Sequence, residues 1–226
     1  MSDLAVELCA VARAYQEAGR LHPVLQGIDA AFPRGRFIAI RGRSGSGKST
    51  LLNLLAGIDL PDTGEIAING QVINRMSERE RTLFRRRHIG FVFQFFNLIP
   101  TLTVAENIRF PLELNGIKGA AATARVSALL ERFSLADRLD SFPDQLSGGE
   151  QQRVAVARAA VHTPALILAD EPSGNLDLET GQQVLGLLRS LPGDSGVCVI
   201  CATHSNEVTA LADEIWQIEQ GRLVRR

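Results

Sequence analysis

Cysteine, tyrosine and tryptophan are scarce in this chain, at three, one and one among 226 residues. Cys9, Cys198 and Cys201 are too few to form a disulfide framework. Cys198-Val199-Ile200-Cys201 does match C-x-x-C, but it lies in an apolar run that reads as a buried strand, where successive residues face opposite sides. Two buried thiols are expected there, not a redox or metal pair. Long hydrophobic runs are missing too. The best, Leu51 to Ile58 (broken by Asn53) and Val197 to Ala202, fall short of the ~18–20 residues of a bilayer crossing. At the N-terminus, Asp3 stands where a signal peptide carries basic residues, and Glu7 interrupts any apolar stretch behind it, so the chain is expected to stay in the cytoplasm. No charge dominates, with 24 Lys+Arg against 25 Asp+Glu. Holding a polyanion or an anionic membrane would therefore need a local patch, and no nucleic acid is expected as a partner. What is present, 45% apolar and 22% charged residues, is enough to bury a core without staples.

Apolar segments bounded by turn residues alternate with helical patterns, which predicts an α/β sheet. Strands are expected at Val6 to Tyr15, Leu25 to Phe32, Phe37 to Arg41 and Glu65 to Ile68, partly antiparallel, the last closed by an Asn69-Gly70 turn. Lys48 to Ala56 reads as a helix, and Ser77 to Arg87 as another, opened by the capping box Ser77-x-x-Glu80. A short strand, Gly90 to Phe93, precedes a helical insertion from Gln94 to about Val161. Within it, helices are predicted at Thr103 to Leu114, with the capping box Thr103-x-x-Glu106, at Ala120 to Phe133 and at Glu150 to Val161. Strands resume at Ala165 to Ala169, Val197 to Ala202 and Glu214 to Glu219, with a helix near Leu178 to Ser190 and a shorter one after Ser205.

The strand Phe37 to Ile40 runs into Gly42-Arg43-Ser44-Gly45-Ser46-Gly47-Lys48-Ser49-Thr50 and then a helix, the context that G-x-x-x-x-G-K-[ST] requires. Glycines let the main chain approach phosphates and turn N–H groups toward them, while the helix adds the positive end of its dipole. Lys48 is then placed to reach β/γ-phosphates and the Ser49 hydroxyl to ligate Mg²⁺. The run Ala165 to Ala169 ends in Asp170-Glu171, adjacent acids that point opposite ways at a strand end. They can divide the work, with Asp170 near Mg²⁺ through water and Glu171 polarising the water that attacks the γ-phosphate. Leu146-Ser147-Gly148-Gly149-Glu150-Gln151-Gln152-Arg153 puts a hydroxyl and two glycines at a helix start, a second anion-binding nest that one triphosphate does not obviously need.

That octet closely resembles the signature of ATP-binding-cassette proteins, and the resemblance extends over essentially the whole chain. Gln94 matches the family glutamine that touches Mg²⁺ and the attacking water. Ser173-Gly174-Asn175-Leu176-Asp177 matches the loop that crosses the dimer interface, and His204 the histidine that contacts the γ-phosphate. Tyr15, 33 residues before Lys48, resembles the aromatic that stacks on adenine, with an ordinary strand tyrosine as the alternative. The resemblance implies a RecA-like P-loop core with an N-terminal antiparallel β region and an inserted α-helical subdomain. In a single domain over 1–226, the core takes 1–93 and 162–226 and the helical subdomain 94–161. It also implies ATP and Mg²⁺ as cofactors. Two copies would clamp ATP head to tail, so that Ser147, Gly148 and Gly149 of one face the γ-phosphate held by Lys48 of the other.

Phe91 to Pro100 and Ala169 to Asp177 look most like ATPases of lipoprotein-release, macrolide-export and division-associated systems, which drive integral membrane permeases with large extracytoplasmic domains. That likeness implies a location on the cytoplasmic face of the inner membrane, held by the permease. The alternative of the same lineage is an ATPase that moves nothing and passes its conformational change to an extracytoplasmic enzyme. A soluble regulator of translation or repair would instead carry two cassettes or long insertions. Ser173 replaces the usual Thr, Arg43 a common Pro, and Ser205 a common Asp; the last removes a charge beside His204 and predicts a weaker interface contact there. The basic run Arg79, Arg81, Arg85, Arg86, Arg87, His88 is interleaved with Glu78 and Glu80 and reads as a solvated helix face. Phe95, Phe96, Leu98 and Ile99 divide between core and a docking surface for the membrane partner.

Overall fold

In the computed structural model, residues 3–17 and 19–226 are described. Two sheets with a helix between them form one half of the molecule. The first is antiparallel, in the order β2-β1-β4-β5, built from β1 (Leu4–Glu17), β2 (Arg20–Pro33), β4 (Thr63–Ile68) and β5 (Gln71–Val72). The second has the order β10-β9-β3-β8-β7-β6. Its strands β3 (Phe37–Arg41), β6 (Ile89–Val92), β7 (Leu166–Asp170), β8 (Cys198–Thr203) and β9 (Glu214–Glu219) are parallel, and β10 (Arg222–Arg225) returns antiparallel on β9.

The period of two along a strand decides which face each residue feeds. Ile38 and Ile40 of β3, Leu166 and Leu168 of β7, and Cys198, Ile200 and Ala202 of β8 join one core with α1 (Lys48–Leu55) and the antiparallel sheet. Phe37, Ala39, Ile167, Ala169, Val199 and Cys201 turn to the other side. There they meet helices α3 (Val104–Leu114), α4 (Gly119–Arg132), α5 (Gly148–Ala160) and α6 (Leu178–Ser195). Leu51, Leu52, Leu54 and Leu55 of α1 are fully buried, each contributing roughly 1.5–3 kcal/mol, so the helix that follows the glycine-rich loop cannot shift without opening a core. At Gly90 a Cβ would stand 2.2 Å from the carbonyl oxygen of Ala159, so only glycine lets β6 approach α5 this closely.

Sequence patterning foresaw most of these elements but not the short strands β5 and β10, and it differs in four further respects. β1 and β2 run 14 residues each because bulges carry the pairing past irregular sequence, one at Ala10, whose φ of +48° is held by a bond from its N–H to Asp29 Oδ1 (2.8 Å). β6 begins at Ile89 and stops before Phe93. α6 passes through Pro192 and ends where Gly196 takes φ +68°. The expected solvated basic face on α2 (Glu78–His88) is only partly so. Arg81 donates to the carbonyls of Gly57 and Met76, and Arg85 to those of Ala56 and Gly57, so both satisfy the C-terminal end of α1. Cys198 and Cys201 are buried on opposite faces of β8, as expected, and Cys9 is exposed. Burial pushes Cys198 up to about 12, and pushes Cys201 well above its ordinary range, with Glu171 and Asp170 adding to the rise.

Candidate active site

Parallel pairing sets Arg41 of β3 beside Thr203 of β8, and Asp170 of β7 beside Ala202, so three strands end at one level. The loops that leave them supply Gly42 to Ser49, Glu171 and His204, at the carboxyl edge where α/β sheets hold ligands. All of these but Gly42 and Ser46 line a cavity of about 830 Å³ together with Asp170, Tyr15, His22, Val24, Thr50 and Gln94.

The phosphate-loop geometry follows from its glycines. Gly45 and Gly47 have φ of +74° and +101°. A Cβ on Gly42 would meet Ser46 Oγ at 2.2 Å, and one on Gly47 would meet Val24 Cγ1 at 2.8 Å, so the loop lies flat on β2. Lys48 is buried, and its ammonium donates to the carbonyls of Gly42 (2.9 Å) and Arg43 (3.3 Å). Ser46 Oγ is buried against Gly42 with no hydrogen-bond partner among the described residues.

Asp170 shares the phase of Leu166 and Leu168, toward α1, and accepts a bond from Ser49 Oγ at 2.8 Å although 121 residues separate them. Burial raises its carboxyl above the usual range, and the charge of Glu171 adds to the rise. Glu171 has a φ of +46°, pinned by its N–H on the Ala202 carbonyl (2.9 Å) and by its own carbonyl, which accepts from Gly174 N (3.0 Å). Its carboxylate stands 4.0 Å from Lys48 Nζ, accepts from Thr203 Oγ1 (3.2 Å), and lies 2.7 Å from His204 Nδ1. Gln94 Nε2 is 3.4 Å from Asn175 Oδ1, and Asn175 Nδ2 donates to the Gln94 carbonyl. A hydroxyl, a carboxylate and an amide oxygen on Ser49, Asp170 and Gln94 make a hard-oxygen donor set, which fits Mg²⁺ sharing its remaining positions with phosphate and water. Among the described residues no cluster of three or more His, Cys, Asp or Glu makes a protein-only cage.

Two expected groups lie elsewhere. Asp177 caps α6, accepting from Thr180 N (3.0 Å), and with Glu171, Leu178 and His204 lines an adjoining cleft of about 280 Å³. Ser147, Gly148 and Gly149 line neither space. Ser147 opens α5 in a capping box with Glu150, and a Cβ on Gly149 would stand 2.1 Å from Thr180 Cγ2. Ser205, in place of the commoner Asp, also caps its helix α7 (Asn206–Leu211), accepting from the N–H groups of Glu207 and Val208.

The loop, paired acids and second nest can be set beside known proteins. The sequence pattern of the ABC transporter family matches residues 25–174. An uncharacterised ABC transporter ATP-binding protein of Mycobacterium tuberculosis (strain ATCC 25618 / H37Rv) is 52% identical over 97% of this chain and 88% of its own. A lipoprotein-releasing system ATP-binding protein LolD of Maricaulis maris is 44% identical, covering 99% and 97%. The chain belongs to the ABC transporter family. It is an ATP-binding subunit and an ATPase of that family. A dimeric, post-hydrolysis structure of the ATP-binding cassette MJ0796 bound to ADP and Pi superimposes with a TM-score of 0.87 at 37% identity, covering 96% of each chain.

The sequence reading gave no role to His22 and Val24 of the cavity, to Thr203 beside Glu171, or to Gln152. Gln152 is fully buried, and its Nε2 donates to the carbonyls of Phe93 (3.3 Å) and Pro172 (2.7 Å), next to Gln94 and Glu171 respectively. Its signal was helical phase, because residues 152, 156 and 159 share one face and Val156 and Ala159 are buried.

Proposed function

We propose that two copies of this cassette close head to tail on two Mg·ATP and drive a separate membrane permease, of the lipoprotein-release or macrolide-export type. The observation that carries the dimer is the position of Ser147 to Gly149. These residues form a helix-start anion nest outside the cavity that contains Lys48, so its natural ligand is a phosphate held by another copy. The dimeric state of the MJ0796 cassette supports this. In this reading residues 94–161 act as the helical subdomain that presents the nest, and Asp177 meets the second copy beside it.

Within one site the loop N–H groups and Lys48 hold the phosphates, and Tyr15 stacks on the base. Glu171 holds the attacking water as its general base, oriented by Thr203 and facing Lys48. His204, already bonded to Glu171, contacts the γ-phosphate, and Gln94 brings the water and helical insertion into register. Ser49, Asp170 and Gln94 would hold Mg²⁺, which when bound neutralises phosphate charge.

The permease assignment rests on the lipoprotein-release names among the relatives and on an apolar groove of about 390 Å³ between α2, α3, α5 and β6. Phe91, Phe93, Ile99, Phe110 and Leu114 line it, with Arg85, Arg86 and Arg158 at their side. No helix among the described residues is long and apolar enough to cross a membrane, so the permease would hold the cassette on the cytoplasmic face of the inner membrane. Glu171→Gln should keep ATP binding while trapping a dimer, seen as an ATP-dependent shift in gel filtration. Unchanged ATP turnover in that variant would reject the role given to Glu171. Co-purification from detergent-solubilised membranes tests the permease.

A further inference from the structure

Tyr15 is held by more charge than an ordinary strand tyrosine needs. Its hydroxyl donates to Asp59 Oδ2 at 2.7 Å. The same carboxylate takes a two-pronged bond from Arg13, with Nε to Oδ2 at 3.0 Å and Nη2 to Oδ1 at 2.8 Å, and also accepts from Leu60 N–H. Arg13 Nη1 bonds Asp62 Oδ1 at 2.6 Å, and the other oxygen of Asp62 accepts from Ala14 N–H at 2.7 Å. The guanidinium lies 4.8 Å from the centre of the Tyr15 ring. Arg13 lines a separate cleft, whereas Tyr15 lines the nucleotide cavity.

Asp59 lies in the loop just beyond α1, the buried helix whose first residues are Lys48 and Ser49. The ring on β1 is therefore bolted to the far end of the element whose near end carries the phosphate loop. We propose that Asp59, with Arg13, is a positioning residue for the base of ATP: it fixes the Tyr15 ring at a set distance and tilt from the phosphate loop. The proposal deepens the stacking role given to Tyr15 and rests on it. A ring already immobilised loses little freedom when a base stacks on it, so the clamp acts on base affinity and not on phosphate affinity.

The test compares ATP with inorganic triphosphate, which carries the same phosphates and no base, by calorimetric titration of the full-length protein with Mg²⁺. Asp59→Asn, which removes the charge and one arm of the two-pronged Arg13 bond, and Tyr15→Phe, which removes the hydroxyl bond, both keep side-chain size and should each weaken ATP binding about 5- to 10-fold. Triphosphate affinity should stay within about twofold of the unaltered protein. In a Tyr15→Leu background, Asp59→Asn should add nothing further. Equal losses for ATP and triphosphate would mean that the clamp merely shores up α1, and would overturn the proposal. No loss for ATP in Asp59→Asn and Tyr15→Phe, alongside a clear loss in Tyr15→Leu, would overturn it and leave stacking intact. If Tyr15→Leu itself left ATP affinity unchanged, the stacking role would fall and the clamp with it.

Discussion

Lys48 and Glu171 show how single residues gain their chemistry from the backbone around them. Lys48 is buried because Leu51, Leu52, Leu54 and Leu55 anchor its helix, and Glu171 is held at a left-handed φ that costs a non-glycine residue on the order of 1 kcal/mol. Lys48→Ala should lower ATP affinity at least about tenfold, read by calorimetry, since it removes a buried charge facing the phosphates. His162 yields a second prediction. Its Nε2 lies 3.3 Å from the Ile89 carbonyl and its Nδ1 is buried, and burial, with His88 adding to it, lowers the imidazole to about 4. Between that value and the ordinary 6.5 the unfolded chain binds a proton that the folded chain refuses, so stability falls as pH drops through this window. At roughly 1.4 kcal/mol per unit, the loss reaches about 2 kcal/mol by pH 5, and urea unfolding at pH 7 and pH 5 should show it. His162→Gln should flatten that difference.

Among the elements, α5 reaches two places at once. Its first turn is the nest at Ser147, and its buried face carries Gln152 to the carbonyls beside Gln94 and Glu171. Gln152→Leu leaves those carbonyls without their donor, so it should cost about 1–3 kcal/mol in thermal or urea unfolding. Turnover should fall about tenfold with ATP affinity held within twofold, because the loops of Gln94 and Glu171, proposed above to act on the water, loosen while the glycine-rich loop does not. At this scale the sequence was legible wherever a rule is local. Capping boxes at Ser77 and Thr103 stand as their spacing predicts. The glycine-rich loop and the Asp170-Glu171 pair were legible for the same reason, each being a contiguous motif. Long-range polar partners were not. Arg81 and Arg85 look like solvent charges until α1 ends beneath them, and Arg13 and Asp59 are 46 residues apart with no pattern to join them. β10, Arg222–Arg225, sets two apolar residues between two arginines, with no alternation and too short a run to stand out.

For the whole molecule, the proposed head-to-tail dimer, in which the nest of one copy completes the cavity of another, would make catalysis a property of concentration. Turnover per cassette should rise with protein concentration and approach a plateau, whereas binding of ATP to Lys48 should not depend on it. A dilution series of phosphate release tests this, and a constant specific rate down to monomer would reject the shared site. Ser147→Arg, which puts bulk and positive charge at the nest, should abolish turnover yet leave ATP binding by its own chain within about twofold. The cysteines offer a practical gain. With Cys198 and Cys201 sealed in opposite cores and Cys9 exposed on β1, a maleimide label goes on one defined position without altering the sequence. Spin labels on two such chains then form a molecular ruler, and electron-resonance distances taken with and without nucleotide can time the closing of the assembly directly.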